Sequence, residues 1–176
     1  KLRKPLIIMT PKSLLRHRRA VSKKEDFING SSFHRVLWDD GDIDKNFNLV
    51  SDKNIKRVIL CSGKIYYDIL EKRNLEKLSD IYILRVEQLY PFPEKSLSEE
   101  LKRFSNADFV WCQEEPKNQG AWSYISTLII DELAKLSMKH QYVKYSGRAP
   151  SASPATGLAQ QHKEEQEKLI KTALGI

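Results

Sequence analysis

The sequence is poor in the residues that would announce a small cross-linked, metal-binding or membrane protein. It has two cysteines, Cys61 and Cys112, too few and too far apart for a disulfide framework or a metal-ligand spacing. Both fall in apolar runs that read as buried strands, where a free thiol behaves as a small hydrophobe; a reducing compartment is expected. No apolar run approaches the ~18 residues of a membrane helix, and no secretory signal pattern opens the chain. The glycines, seven in all, are too scattered for a phosphate loop or a dinucleotide fingerprint. The histidines, His17, His34, His140 and His162, lie in separate polar segments without zinc spacing and read as surface residues. Basic residues are not interleaved with aromatics in any nucleic-acid module. Membrane, nucleic acid and resident metal are therefore not expected.

What is present is an ordinary globular balance, 40% hydrophobic and 30% charged, in a chain of single-domain length able to bury a core. Residues 1–176 are read as one domain with a polar excursion over 21–54. The net charge is +7, densest at Arg16-His17-Arg18-Arg19 with Lys23 and Lys24, and reads as a solvated face. The chain starts Lys1-Leu2-Arg3-Lys4 and runs at once into Leu6–Met9, which suggests a piece of a longer chain.

Leu6–Met9 reads as a short strand and Ser13–Arg16 as a helical turn. From Val21 to Asn54 the sequence is polar, with one apolar patch at Phe33, Val36, Leu37 and Trp38; a short strand at most is expected. Regular alternation follows. Arg57–Cys61, Ile81–Val86, Asp108–Cys112 and Tyr142–Tyr145 read as strands. Helices are expected from Ile65 to about Leu78, after Pro93, from about Gly120 to Leu136, and from about Leu158 to Leu174. Leu97, Leu101 and Phe104 form one apolar helix face; Tyr124, Leu128, Leu133 and Leu136 are expected inward on the next helix. Strands apolar on both faces, alternating with helices, predict an α/β fold: a mostly parallel sheet with helices on both faces. Ligands of such sheets bind outside the carboxyl ends of the strands, which here carry Ser62-Gly63-Lys64, Glu87-Gln88, Gln113-Glu114-Glu115 and Gly147-Arg148.

None of these ends carries an evident reaction. Ser62-Gly63-Lys64 opens a helix and could face a phosphate, but Ser62 as a helix cap explains it equally well. Adjacent Glu114 and Glu115 should point apart; one is expected to anchor the loop Pro116–Gly120, the other to face a partner. Ser151 and Ser153 lack a nucleophile elbow. No catalytic, cofactor-binding or metal-ligating residue is assigned.

Several segments speak together. Pro5–Arg16 reads PLIIMTPKSLLR, Cys61–Asp68 CSGKIYYD, Leu84–Pro93 LRVEQLYPFP, Phe109–Trp122 FVWCQEEPKNQGAW and Gly147–Gly157 GRAPSASPATG, with His162 and Gln166 following in HKEEQ. In this order and spacing the chain resembles the carboxy-terminal end of the decarboxylating component of 2-oxoglutarate dehydrogenase, over almost its whole length; Val21–Asn54 matches least. The resemblance implies a transketolase C-terminal-like domain of a succinyl-transferring oxidoreductase of the tricarboxylic acid cycle. It implies a parent enzyme using thiamine diphosphate and Mg, neither held by this part of the chain. It also implies the parent's own amino-terminal cofactor domains, a homodimer mate and a lipoyl acyltransferase component as partners, in the bacterial cytoplasm or the mitochondrial matrix. The isolated piece is then expected to be inactive and to serve docking, through Glu114, Glu115, Asn118, Gly120, Trp122 and Arg148: Trp122 as an exposed anchor, Arg148 pairing with a carboxylate across the seam. Some actinobacterial relatives carry a regulatory acetyl-CoA site whose positions match Ser32, Arg35, Gln88, Lys95 and Ser96. That subgroup has arginines after its Pro-x-Pro turn where this chain has Glu94-Lys95-Ser96, and one lysine is a poorer phosphate fork; loss of that regulation is expected. The rival readings are a related thiamine-dependent 2-oxo acid dehydrogenase domain and a stand-alone anion- or nucleotide-binding module at Gly63-Lys64.

Overall fold

A computed structural model describes residues 3–28, 30–42 and 47–176. The chain forms two compact units, 1–33 and 34–176. In the first, the described elements are the 3-10 turns Lys12–Arg16 and Lys24–Phe27. The helical turn expected at Ser13–Arg16 is there, in its tighter 3-10 form. The strand expected at Leu6–Met9 is not: these residues are 73–91% exposed and belong to no ladder, because no described strand offers its backbone to theirs.

The second unit is an α/β sandwich of layers. Its elements are β1 (Val36–Leu37), β2 (Arg57–Cys61), α1 (Ile65–Leu75), β3 (Ile81–Val86), α2 (Glu94–Leu101), β4 (Asp108–Pro116), α3 (Trp122–Lys135), β5 (Val143–Arg148) and α4 (Ala159–Leu174). The sheet order is β1-β3-β2-β4-β5. The β3-β2, β2-β4 and β4-β5 pairs are parallel, and β1 is antiparallel to β3.

The period of two in each strand builds two cores. Val58 and Leu60 of β2 face one way, with Tyr82, Leu84 and Trp111, and meet α2 and α3 through Leu97, Leu101, Ile125, Ile129 and Leu133. Ile59 and Cys61 face the other way, with Ile83, Val110 and Cys112, and meet α1 and α4 through Ile65, Ile69, Leu169 and Ala173. Leu97, Leu101 and Phe104 are fully buried, each worth about 1.5–3 kcal/mol of transfer free energy. On α3 the inward stripe is Ile125, Ile129 and Leu133, while Tyr124 is exposed. The β-branched residues one position along from Tyr124 take the core, and the amphipathic ring faces water. Among the described residues no helix is long and apolar enough to cross a membrane.

The free side of β3 is closed by side chains. Beyond the two-residue β1, the Ile83 amide donates to Asp39 Oδ2 at 2.7 Å and the Ile81 carbonyl accepts from Arg73 Nη1 at 3.2 Å. Asp39 and Arg73 are themselves ion-paired and wholly buried. Asp39 also accepts the Gly41 amide at 2.7 Å, so this pair pins the middle of the polar excursion to the sheet.

Candidate functional site

The parallel order brings the carboxyl ends of β2, β4 and β5 to one edge, and their loops interlock there. The organiser is Gln113, 4% exposed in β4. Its Oε1 accepts the Trp111 indole N–H and the Trp122 amide, each at 3.0 Å. Its Nε2 lies 2.8 Å from the Gln119 carbonyl and within 3.3 Å of those of Glu115 and Pro116. One amide thus reaches four backbone groups of the loop from residue 115 to residue 122 and ties its two ends together. Gly120 completes it. Its φ of +65° is the left-handed conformation, and a Cβ there would lie 2.9 Å from Gln113 Nε2, so glycine is required on both counts.

The second loop, from Ala149 to Gly157, is tied to the first. The Asn118 side chain donates to the Ser151 carbonyl at 2.9 Å and accepts the Ser151 amide at 3.0 Å; Gln119 Nε2 also reaches the Ser151 carbonyl, at 2.9 Å. The Lys117 amide donates to the Arg148 carbonyl at 3.0 Å. The Tyr145 hydroxyl lies within reach of the carbonyls of Glu115 and Arg148, at 3.1 and 2.9 Å. Burial pushes its pKa up to about 12, so it remains a neutral donor at any physiological pH.

Behind these loops sits a charged cluster. Glu114 is ion-paired with Lys64, and its Oε1 accepts Gln166 Nε2 at 2.9 Å; Gln166 Nε2 also lies 2.9 Å from Asp68 Oδ2. Arg148 Nη1 donates to the Glu114 carbonyl at 2.7 Å, and Nη2 reaches Gln166 Oε1 at 3.1 Å and His162 Nδ1 at 3.0 Å. Its Nε lies 3.0 Å from Glu165 Oε2, an ion pair without hydrogen-bond alignment. The cluster joins α1, β4, β5 and α4.

These contacts revise several expectations. Arg148 is 9% exposed and held on every side by its own chain, so it is a brace within the domain rather than a free fork for a carboxylate across a seam. Trp122 is half-buried and packs on Tyr145, with ring centroids 5.0 Å apart; its indole belongs to the core's edge and is not an exposed anchor. The loop is anchored by the Gln113 amide, not by a glutamate. Glu114 turns to α1 and α4, and Glu115 is exposed, so the adjacent pair does point apart. Ser62 does not cap α1, whose start has no side-chain cap, and Lys64 faces Glu114. Sequence reasoning passed over Gln113; the available signal was a lone amide among apolar neighbours in a strand, which buried must find partners.

The remaining positions divide. Arg35 is brought to Gln88 by the backbone, since the Arg35 carbonyl accepts the amides of Glu87 and Gln88 at 2.9 and 3.1 Å. Gln88 Nε2 is taken by the Pro91 carbonyl at 2.7 Å. Lys95, exposed, and Ser96 lie in the first turn of α2, while Ser32 belongs to the first unit.

Most polar side chains named at the edge are engaged, Arg148 Nε and Thr156 Oγ1 being buried without a hydrogen-bond partner. Ser146 Oγ donates to the Leu169 carbonyl at 2.7 Å, and Ser153 Oγ to the Ala155 carbonyl at 2.7 Å; neither has a base beside it. Burial pushes the Cys112 thiol up to about 12 and the Cys61 thiol well above its ordinary range, the opposite of what a nucleophile needs.

A family model described as 2-oxoglutarate dehydrogenase C-terminal matches residues 21–174. The chain belongs to this family. It is 55% identical over 175 residues to the 2-oxoglutarate dehydrogenase E1 component of Brucella abortus strain S19, covering 98% of the present chain and 17% of that protein. The corresponding proteins of Brucella anthropi and Brucella ovis are 55% and 54% identical over the same length. The chain thus spans less than a fifth of these relatives. The α/β architecture, with its mostly parallel five-strand sheet, agrees with the transketolase C-terminal-like fold that the resemblance implies. The rival family assignments lapse with this match.

Proposed function

We propose that this chain is the carboxy-terminal supporting domain of a thiamine diphosphate-dependent 2-oxoglutarate dehydrogenase, working in the tricarboxylic acid cycle within a multienzyme complex. The family match over residues 21–174 carries the reading, and the interlocked loops at the edge support it. A domain whose Lys64, Glu114, Arg148 and Gln166 are all held by one another presents a stiff surface rather than a reacting one. Among the described residues no three carboxylate, imidazole or thiol groups gather around a common point for a cation. Thiamine diphosphate and Mg belong, in this reading, to the parent's amino-terminal domains.

The docking surface is the outer side of the two interlocked loops. Glu115, Asn118 and Gly120 lie on it, exposed; Gln113, Trp122, Glu114 and Arg148 hold it from behind. The amino-terminal cofactor domains, the homodimer mate and the lipoyl acyltransferase component are the proposed partners. The cytoplasm or mitochondrial matrix is the proposed setting. The Gln88 amide is already engaged and Lys95 is a single ammonium, so acetyl-CoA regulation through Ser32, Arg35, Gln88, Lys95 and Ser96 is proposed to be absent.

The test is turnover of 2-oxoglutarate with thiamine diphosphate and Mg by the 176-residue chain and by the full-length enzyme. Activity is expected in the full-length protein only. Turnover by the short chain at a comparable rate, or none by the full-length protein, would overturn the reading. Calorimetric titration of the full-length enzyme with acetyl-CoA should give no heat; micromolar binding lost on Lys95→Ala would reverse the view of regulation.

A further inference from the structure

Arg148 has no lone pair to offer, so the nitrogen 3.0 Å from its Nη2, His162 Nδ1, must accept. In this arrangement the imidazole is neutral and carries its hydrogen on Nε2. We propose that His162 is a proton-operated catch on Arg148, holding the root of the loop from Ala149 to Gly157 while neutral and releasing it when protonated.

An imidazolium has an N–H at both nitrogens, so the contact becomes donor against donor and cation against cation at about 3 Å. One partner must leave. Arg148 is nine-tenths buried and tied to the Glu114 carbonyl and to Gln166, whereas His162 is exposed. His162 lies on the rim of a groove of about 460 Å³ between α1 and α4, which gives its ring room to turn.

The groups around it set the balance. Arg148 faces it from β5. From α1 come Asp68, Glu71 and Lys72, and from α4 itself Lys163 and Glu167, all lining the same groove. Glu114 of β4 and Glu165 of α4 are engaged on Lys64 and Arg148 respectively. Asp68, Glu71 and Glu167 bring carboxylates to the groove beside the ring, and Lys72 and Lys163 bring ammonium groups. Once His162 has turned away, Arg148 Nη2 keeps Gln166 alone. The Arg148 carbonyl that receives the Lys117 amide then sits on a looser residue, and the two loops, joined through Asn118 and Ser151, loosen together. The catch concerns this chain alone and holds whether or not the chain supports a dehydrogenase.

Hydrogen exchange followed by mass spectrometry on the full chain tests it. Protection of peptides containing Lys117 and Ser151 is measured between about pH 8 and pH 5, the span over which imidazoles change charge, after correction for intrinsic exchange. In the wild type this protection is expected to fall by about tenfold, the equivalent of one pK unit of coupling, while peptides of β2 and β3 hold theirs. His162→Gln keeps a side-chain acceptor but cannot titrate, and its profile should be flat at whatever level of protection it has. A flat wild-type profile, a His162→Gln profile that follows the wild-type curve, or a simultaneous loss in β2 and β3 would each overturn the proposal.

Discussion

Removing the Asp39 carboxylate should be among the most damaging single changes in the domain. Asp39 and Arg73 are both wholly buried, and Asp39 also accepts the amides of Ile83 and Gly41. Asp39→Ala leaves a buried guanidinium without its counter-ion, a cost of about 3–5 kcal/mol. The orphaned Ile83 amide adds about 1–3 kcal/mol, not fully additive because the same carboxylate serves both. A loss of about 4 kcal/mol, at a urea slope of about 2 kcal/mol/M, moves the unfolding midpoint down by about 2 M. Arg73→Met should cost less. It leaves a carboxylate still holding two amide donors, and that carboxylate can take up a proton. Burial already pushes the Asp39 carboxyl above the usual range, with Arg73 the main influence pulling it down. Without Arg73 it rises further, so the folded state binds the proton more tightly than the unfolded chain does. Arg73→Met should therefore gain stability as pH falls from 7 towards the ordinary carboxylate range near 4. Equilibrium urea unfolding followed by circular dichroism reads both. A midpoint shift below about 0.5 M for Asp39→Ala, or a greater loss for Arg73→Met than for Asp39→Ala, would refute the account.

Other consequences are as direct. Gly120→Ala should destabilise the domain by about 1–3 kcal/mol through its left-handed backbone alone, and thermal unfolding will show it; an unchanged Tm would mean that Gln113 and the loop shift freely. The hydrogen bond from Lys144, at 2.8 Å, holds the Asp108 carboxyl below its usual range, aided by the charges of Lys144, Arg57 and His140. Its stabilising effect is therefore present above about pH 4 and lost as pH falls through the depressed folded value; Asp108→Asn should flatten the acid limb of stability against pH. Cys61 and Cys112 are free and buried, so Ellman's reagent at pH 8 should titrate no thiol in the native chain and two after denaturation. A rapid native reaction would show that β2 and β4 open locally.

The helix-and-strand framework was legible because its cause is local. Arg57–Cys61 and Ile81–Val86 are built on the apolar runs Val58–Cys61 and Ile81–Leu84, and the structure keeps both ranges unchanged. β4 ran further than expected, to Pro116, because the polar Gln113-Glu114-Glu115 end of the strand is held by Gln113 and by β5 rather than by apolar burial. Tyr124 was misplaced by one position on α3, since a tyrosine fits either face of an amphipathic stripe. The edge of the sheet was legible as a place and not as a mechanism. Glu114, Arg148 and Gln166 stood out singly, but charge and spacing along the chain do not reveal that 52 residues separate Glu114 from a Gln166 amide lying 2.9 Å away. The partners that Arg148 finds within its own chain were hidden for that reason: beside the Glu114 carbonyl they come from α4, after an irregular loop whose path no periodicity encodes.

The buried pair beside β3 has a further consequence for how chains of this kind avoid sticking to one another. An incoming strand on that flank finds the Ile81 oxygen and the Ile83 amide already occupied, with a guanidinium and a carboxylate standing where its own backbone would lie. Among the described residues the longer ladder left with room for one more rung is the far side of β5, the other edge being the two-residue β1. Misassembly between half-made copies during synthesis finds its longer template there, at Val143–Arg148, and a remedy against it belongs there too.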